Sequence, residues 1–152
     1  MSVLLLILAC SYGFTGSLPG YLHTVKVYPF RSLVTRYGLE NELTSRVTGR
    51  MVADGRLAVV VDGPDSELAG TVAAYSRSPY SYTSSEVVEE YKLEIRVEVV
   101  FTDLVTGTAL LNHENVTTWI VYDPVTETEA EAMDRLLDES AEEIIRRCLS
   151  GW

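Results

Sequence analysis

The residues able to do chemistry are few and scattered. The two histidines, His23 and His113, are far apart and neither is near a cysteine. A tetrahedral zinc site needs four close donors, so such parts do not make one. No Gly-x-Ser-x-Gly turn is present to raise a nucleophilic serine. No glycine-rich loop of either phosphate-binding type occurs, so no cofactor-binding motif is present. Carboxylates are abundant, but those of Glu94 and Glu98 alternate with Lys92 and Arg96, as on a solvated sheet face. His113 stands beside Glu114 and Asn115 and reads as a surface residue. An enzyme is the least supported class.

The cysteines divide. Cys10 follows Ile7-Leu8-Ala9 at the end of the apolar run Ser2 to Ala9. That run is too short for a bilayer span, which takes about 20 apolar residues, but it suits the apolar part of a signal peptide. Aliphatic, aliphatic, small, Cys fits the lipobox of bacterial lipoproteins. This implies cleavage before Cys10 and acylation of its sulfur and its new amino group. No Lys or Arg precedes the run, which leaves a start upstream of Met1 open. A buried N-terminal strand with an ordinary core cysteine is the alternative. Ser11, rather than Asp, follows the cysteine, so the inner-membrane retention signal of such lipoproteins is absent. Cys148 falls on the apolar stripe of a helix and reads as a small core residue. A Cys10–Cys148 bridge is the other possibility, which lipidation excludes.

Four tyrosines, Tyr75, Tyr80, Tyr82 and Tyr91, surround a polar Tyr/Ser tract. Cross-strand packing accounts for them. The sharper reading makes Tyr80 and Tyr82 partner contacts, since tyrosine joins a large contact area to a polar handle.

The elements that position these residues follow from periodicity. The chain has 152 residues, 47% of them hydrophobic, enough for one domain with its own core. Its net charge of −10 removes the basic face that a nucleic-acid binder needs. Residues 1–9 form the signal peptide, 10–20 a lipidated cysteine and linker, and 21–152 a single domain. His23 to Phe30 alternates and predicts a strand ended by Pro29, and residues 31–38 a connection. Leu39, Leu43, Val47 and Met51 repeat as one face of a helix closed by Asp54-Gly55. Leu57 to Val61 predicts a buried strand parallel to the first. Leu68 to Tyr75, extending to about Tyr82, predicts another.

Glu86 to Thr102 alternates most cleanly, with Tyr91, Leu93, Ile95, Val97, Val99 and Phe101 on one face. Thr106-Gly107 turns the chain back into Ala109 to Tyr122. Thr126 with Glu129 predicts a capping box for a helix reaching Ser150, with Met133, Leu137, Ala141, Ile144, Ile145 and Cys148 as its stripe. The fold class is α+β, a mainly antiparallel four-stranded sheet with two helices packed on one face.

The order of these parts resembles the LptE family of lipopolysaccharide-assembly lipoproteins. The likeness lies in Cys10-Ser-Tyr-Gly-Phe, Gly16-Ser-Leu-Pro-Gly20 and Thr24-Val-Lys-Val-Tyr-Pro-Phe30. It continues through Gly38-Leu-Glu-Asn-Glu-Leu-Thr44, Asp54-Gly55-Arg56-Leu57, Glu89-Glu-Tyr-Lys-Leu93 and Phe101-Thr-Asp with Thr106-Gly107. The resemblance implies two helices on a four-stranded sheet, in a lipoprotein at the periplasmic face of the outer membrane. It implies a partner, the lipopolysaccharide-exporting barrel LptD, whose assembly such a protein assists and whose lumen it plugs. It also implies lipopolysaccharide binding. Arg77, Lys92 and Arg96 are the nearest cations to the predicted tip and read as parts of a wet sheet face. The alternative is an outer-membrane lipoprotein that regulates a periplasmic enzyme or joins a secretion pore. The long hairpin favours LptE.

Replacing Cys10 by Ser should move the protein from the membrane to the soluble fraction with its melting temperature unchanged. Mass spectrometry of the native protein finding an unmodified Cys10 would reject lipidation.

Overall fold

A computed structural model describes residues 18–150. Cys10, with the rest of the leader and most of the linker, and the Gly151 stop lie outside them. Six strands and two helices follow in order: β1 (Thr24–Val27), β2 (Arg31–Ser32), α1 (Leu39–Asp54), β3 (Ala58–Val59), β4 (Ser66–Tyr82), β5 (Val88–Asp103), β6 (Thr108–Tyr122) and α2 (Glu129–Ser150).

The sheet runs β3-β1-β4-β5-β6, with β2 also paired to β4. This corrects the expected four-stranded, mainly antiparallel sheet to a six-stranded mixed one. The long strands β4, β5 and β6 are antiparallel, whereas β1 lies parallel to both β3 and β4, and β2 parallel to β4. The discrepancy has a local cause. β2 and β3 are two residues each, too short for an alternation pattern to register. The parallel β1–β3 pair was expected, and α1 is its crossover. Only Ala58 and Val59 of the apolar run Leu57 to Val61 pair as strand.

The core lies between one face of the sheet and the two helices. Leu93, Ile95, Val97, Val99 and Phe101 of β5 are all fully buried. So are Leu43, Val47 and Met51 of α1, with Leu39 nearly so. Those residues recur every fourth position, which keeps them on one face of a 3.6-residue helix. Gly55, at φ 75°, ends α1 by donating its N–H to the Met51 carbonyl. The stripe of α2 is wider than expected, adding Ala132, Leu136, Ser140 and Leu149. The capping box of α2 is formed by Thr128 and Glu131, not by Thr126 and Glu129. Thr128 donates both its N–H and its hydroxyl to Glu131 Oε2, at 2.8 and 2.7 Å. Both pairs have the right spacing, and Asp123-Pro124 holds Thr126 in a turn, through hydrogen bonds to the Asp123 carbonyl.

The helices run side by side in the same direction. Arg46 of α1 reaches Asp134 and Asp138 of α2, each at 2.8 Å, and Arg50 reaches Glu142 one turn on, at 3.4 Å. Exposed pairs of this kind contribute little singly, but the row fixes the register of the two helices.

Among the register shifts of the sheet, two bear on which side chains face the helices and the open face. Between Val72 and Ala74, β4 carries one residue more than β5. Leu68, Gly70 and Val72 face the helices before it, and Tyr75 and Arg77 after it. Opposite Val100, β6 carries Asn112 and His113, and His113 takes a left-handed backbone at φ 52°. Gly70 lies under the Phe30 ring, where a Cβ would meet Phe30 Cε2 at 2.5 Å.

Asp65 and Asp103 fasten the far end. Asp65 Oδ2 accepts the backbone N–H groups of His23 and Thr24, at 3.0 and 3.1 Å. These bonds, the one to His23 foremost, hold its carboxyl below the ordinary value. Burial pushes Asp103 up, but hydrogen bonds from Tyr21, Thr106 and Val105 outweigh it and leave its pKa lowered.

Two tests follow from this packing. Leu43→Ala or Leu137→Ala should cost about 2–5 kcal/mol in urea melts, and Glu94→Ala or Glu98→Ala under about 1. Equal effects would reject the one-sided reading of β5. Carboxylates with depressed folded pKa values stabilise fully above their unfolded value, about 4, and lose that contribution as pH falls through the folded value. Asp65→Asn keeps an acceptor and removes the charge. It should therefore flatten the loss of melting temperature between about pH 5 and pH 2.

Candidate functional site

The sheet is longer than its cover. Past Pro79 and Tyr91, where the pairing with β6 ends, β4 and β5 continue as a two-stranded arm closed by the turn at residues 83–87. Thr83 donates to the Val87 carbonyl at 2.8 Å, and Glu86 takes φ 60° to complete the turn. Tyr80 and Tyr82 lie on this arm at 55% and 57% exposure, with Val87 also exposed. The arm therefore carries apolar area that its own fold leaves uncovered.

At the root of the arm, side chains from five elements and connections converge. Arg77 lies 3.5 Å from the Tyr91 ring centroid and donates Nε–H to the Tyr122 hydroxyl at 2.8 Å. Tyr91 and Tyr122 are stacked, with centroids 5.9 Å apart. Arg36, from the connection before α1, donates to Glu129 at 2.8 Å and to the Tyr75 hydroxyl at 3.3 Å. Arg77 reaches the same Glu129, at 3.3 Å. Two guanidinium groups thus share one carboxylate, leaving a local excess of one positive charge in an acidic protein. Cation–π stacking and charge-assisted bonds favour the charged arginines here. The Glu129 bond raises the Arg36 pKa and the Tyr122 bond that of Arg77. Burial pushes the Tyr75 hydroxyl up.

The expected residues fall in different places. Tyr80 and Tyr82 are exposed on the arm, while Tyr75 and Tyr91 are half-buried at its root. Arg77 was expected on the wet sheet face with Lys92 and Arg96. The bulge at Ala73 turns it instead to the helix side, above Tyr91. Lys92 and Arg96 stay on the open face, Lys92 paired with Glu94. His113 contacts Glu98 through Nδ1 at 2.8 Å on that face. Cys148 is fully buried, and burial pushes its thiol up to about 12, the behaviour of an inert core residue. Sequence reasoning missed Arg36, Tyr122 and Glu129. The partners stand as far as 93 positions apart, and no local pattern joins them.

The fold matches solved structures of bacterial proteins, several of them described as lipoproteins. It is similar to the rare lipoprotein B of Shewanella oneidensis at TM-score 0.52 and 21% identity, over 81% of this chain and 89% of that one. An uncharacterised lipoprotein B of Nitrosomonas europaea matches at TM-score 0.58 and 16% identity, over 97% of this chain and 90% of that one. A hypothetical protein of Chlamydia trachomatis matches at TM-score 0.63 and 10% identity, over 83% and 95%. At these identities the likeness establishes the fold. No curated protein sequence matches the chain. The class these matches define is one of fold: two helices on one face of a mixed sheet. The family model for LptE, lipopolysaccharide assembly, matches residues 22–148, and the chain belongs to that family. The family is a non-enzymatic one, and its general role is lipopolysaccharide assembly.

Arg77→Ala removes the cation over Tyr91 and the bond to Tyr122. It should cost about 1 kcal/mol and speed amide exchange in residues 76–82 and 88–91 more than in the core. Uniform exchange across the sheet would show that this cluster does not hold the arm.

Proposed function

We propose that this protein is an outer-membrane lipoprotein, anchored through acylated Cys10 at the periplasmic face. In this reading it assists the assembly of an LptD-like barrel and fills its lumen, so that lipopolysaccharide reaches the cell surface. The family match over residues 22–148 carries the reading. Two physical features support it. The β4–β5 arm reaches past the helices with Tyr80 and Tyr82 exposed, so it offers a partner anchor residues that the domain does not use itself. The surface is acidic and rich in Ser and Thr, which suits the polar lumen of a large barrel better than lipid. The Arg36–Arg77 pair at the root of the arm is the cationic spot where an anionic lipopolysaccharide headgroup would be met.

Photo-crosslinkers placed at Tyr80 and Tyr82 in turn should capture one large barrel protein in native membranes. Depleting the lipoprotein should leave that barrel misassembled and lipopolysaccharide missing from the cell surface. Capture of a periplasmic enzyme or a secretion ring, with normal surface lipopolysaccharide, would replace this reading with the regulator or pore one.

A further inference from the structure

The two ends of the sheet differ. One edge is β3, a strand of two residues, too short to template pairing. The other is β6, with 15 residues, and among the described residues nothing pairs with its far side. From Glu114 to Tyr122 its register with β5 is unbroken. Alternate backbone groups must then point away from the sheet. Two contacts identify them. Arg147 Nη1 donates to the Asn115 carbonyl at 3.5 Å, and Arg135 Nη2 to the Val121 carbonyl at 3.2 Å. The outward set is therefore Asn115, Thr117, Trp119 and Val121. The arginines of α2 cover its two ends and leave the amides and carbonyls of Thr117 and Trp119 open between them.

That opening adjoins a cleft of about 400 Å³ between β6 and α2, lined by Thr117, Thr118, Trp119, Glu139, Glu142 and Arg146. Thr118 Oγ1 is buried there without a hydrogen-bond partner. A buried hydroxyl in that state carries a desolvation penalty that an incoming donor or acceptor removes. Trp119 is 51% exposed beside it. The stretch Val116 to Val121 contains no charge and no proline, the usual devices that keep an edge from pairing.

Charge selects the occupant. Glu139 has no ion-pair partner among the described residues, and Glu142 is held only by a 3.4 Å contact to Arg50. A second copy paired here would bring its own α2 carboxylates against these, in a chain of net charge −10. We propose that an extended segment of the barrel partner, carrying Lys or Arg, adds as a strand to β6 at Thr117 and Trp119. Main-chain bonds supply its affinity and the α2 carboxylates its preference for cations. This inference rests on the barrel-partner reading and names where that partner pairs.

The test uses the full-length lipoprotein in native membranes, with a photo-crosslinker at Trp119, and separately at Tyr80 and Tyr82. Capture at Trp119 should be of the same barrel, and peptide mapping should place it on a Lys- or Arg-bearing segment. Thr117→Pro removes only an outward N–H, a change that edge strands tolerate. It should lower capture at Trp119 about five- to tenfold, leaving the melting temperature and the Tyr80 and Tyr82 capture in place. Trp119→Pro, with the crosslinker moved to Thr117, tests the second open amide in the same way. If Tyr80 and Tyr82 capture the barrel while Trp119 captures nothing or a second copy, strand addition is overturned and the barrel reading stands. Undiminished capture in both proline variants overturns it as well. If no position captures a barrel, the barrel reading fails and strand addition fails with it.

Discussion

One row of side chains governs this fold: Leu93, Ile95, Val97, Val99 and Phe101 on the inner face of β5. A central strand with such a row must be covered on that face along its whole length. β4 and β6 flank it as a meander, and the two helices lie over it side by side. The parallel course of the helices follows from the crossover β1–α1–β3 at one edge and from the late return of α2 after β6. The opposite face of the sheet needs no cover, so it can carry Lys92, Glu94, Arg96 and Glu98. Burying one face and wetting the other gives the domain a core of its own, in keeping with its length.

The helices define where the domain ends, and the strands do not respect that limit. The arm is held at its root by Arg77 between two tyrosine rings and by a carboxylate shared with Arg36. These are contacts of moderate strength at half-buried positions, the kind that keep an element oriented without making it part of the core. The core and the arm therefore draw on separate sets of interactions.

Much of this was legible in the sequence where a pattern repeats. The period of β5 and the fourfold repeat in α1 each name their buried residues correctly, because burial on one face leaves a periodic trace. The two-residue strands leave none. The choice between Thr126 and Thr128 as the start of α2 was degenerate in sequence and was decided by the turn at Asp123-Pro124. The arm was visible as an overlong strand pair. The cluster at its root was not, because Arg36, Arg77, Tyr122 and Glu129 meet only after the sheet and helices have formed. The orientation of Arg77 depended further on one inserted residue that Val72-Ala-Ala-Tyr75 does not advertise.

That inserted residue acts as a phase shift along β4. On the core side of Ala73 even-numbered residues face the helices, and from Tyr75 to Pro79 odd-numbered ones do, up to the next register shift after Pro79. Deleting a single alanine there would carry the phase of the core side on to Pro79. The side chains from Tyr75 to Pro79 would then exchange faces, sending Arg77 to solvent and Ser76 and Ser78 toward Tyr91. The composition of that stretch would be unchanged and its chemistry inverted. A lineage of such proteins can thus redirect its projecting surface by a length change of one residue, while the buried row of β5 from Leu93 to Phe101 stays in place.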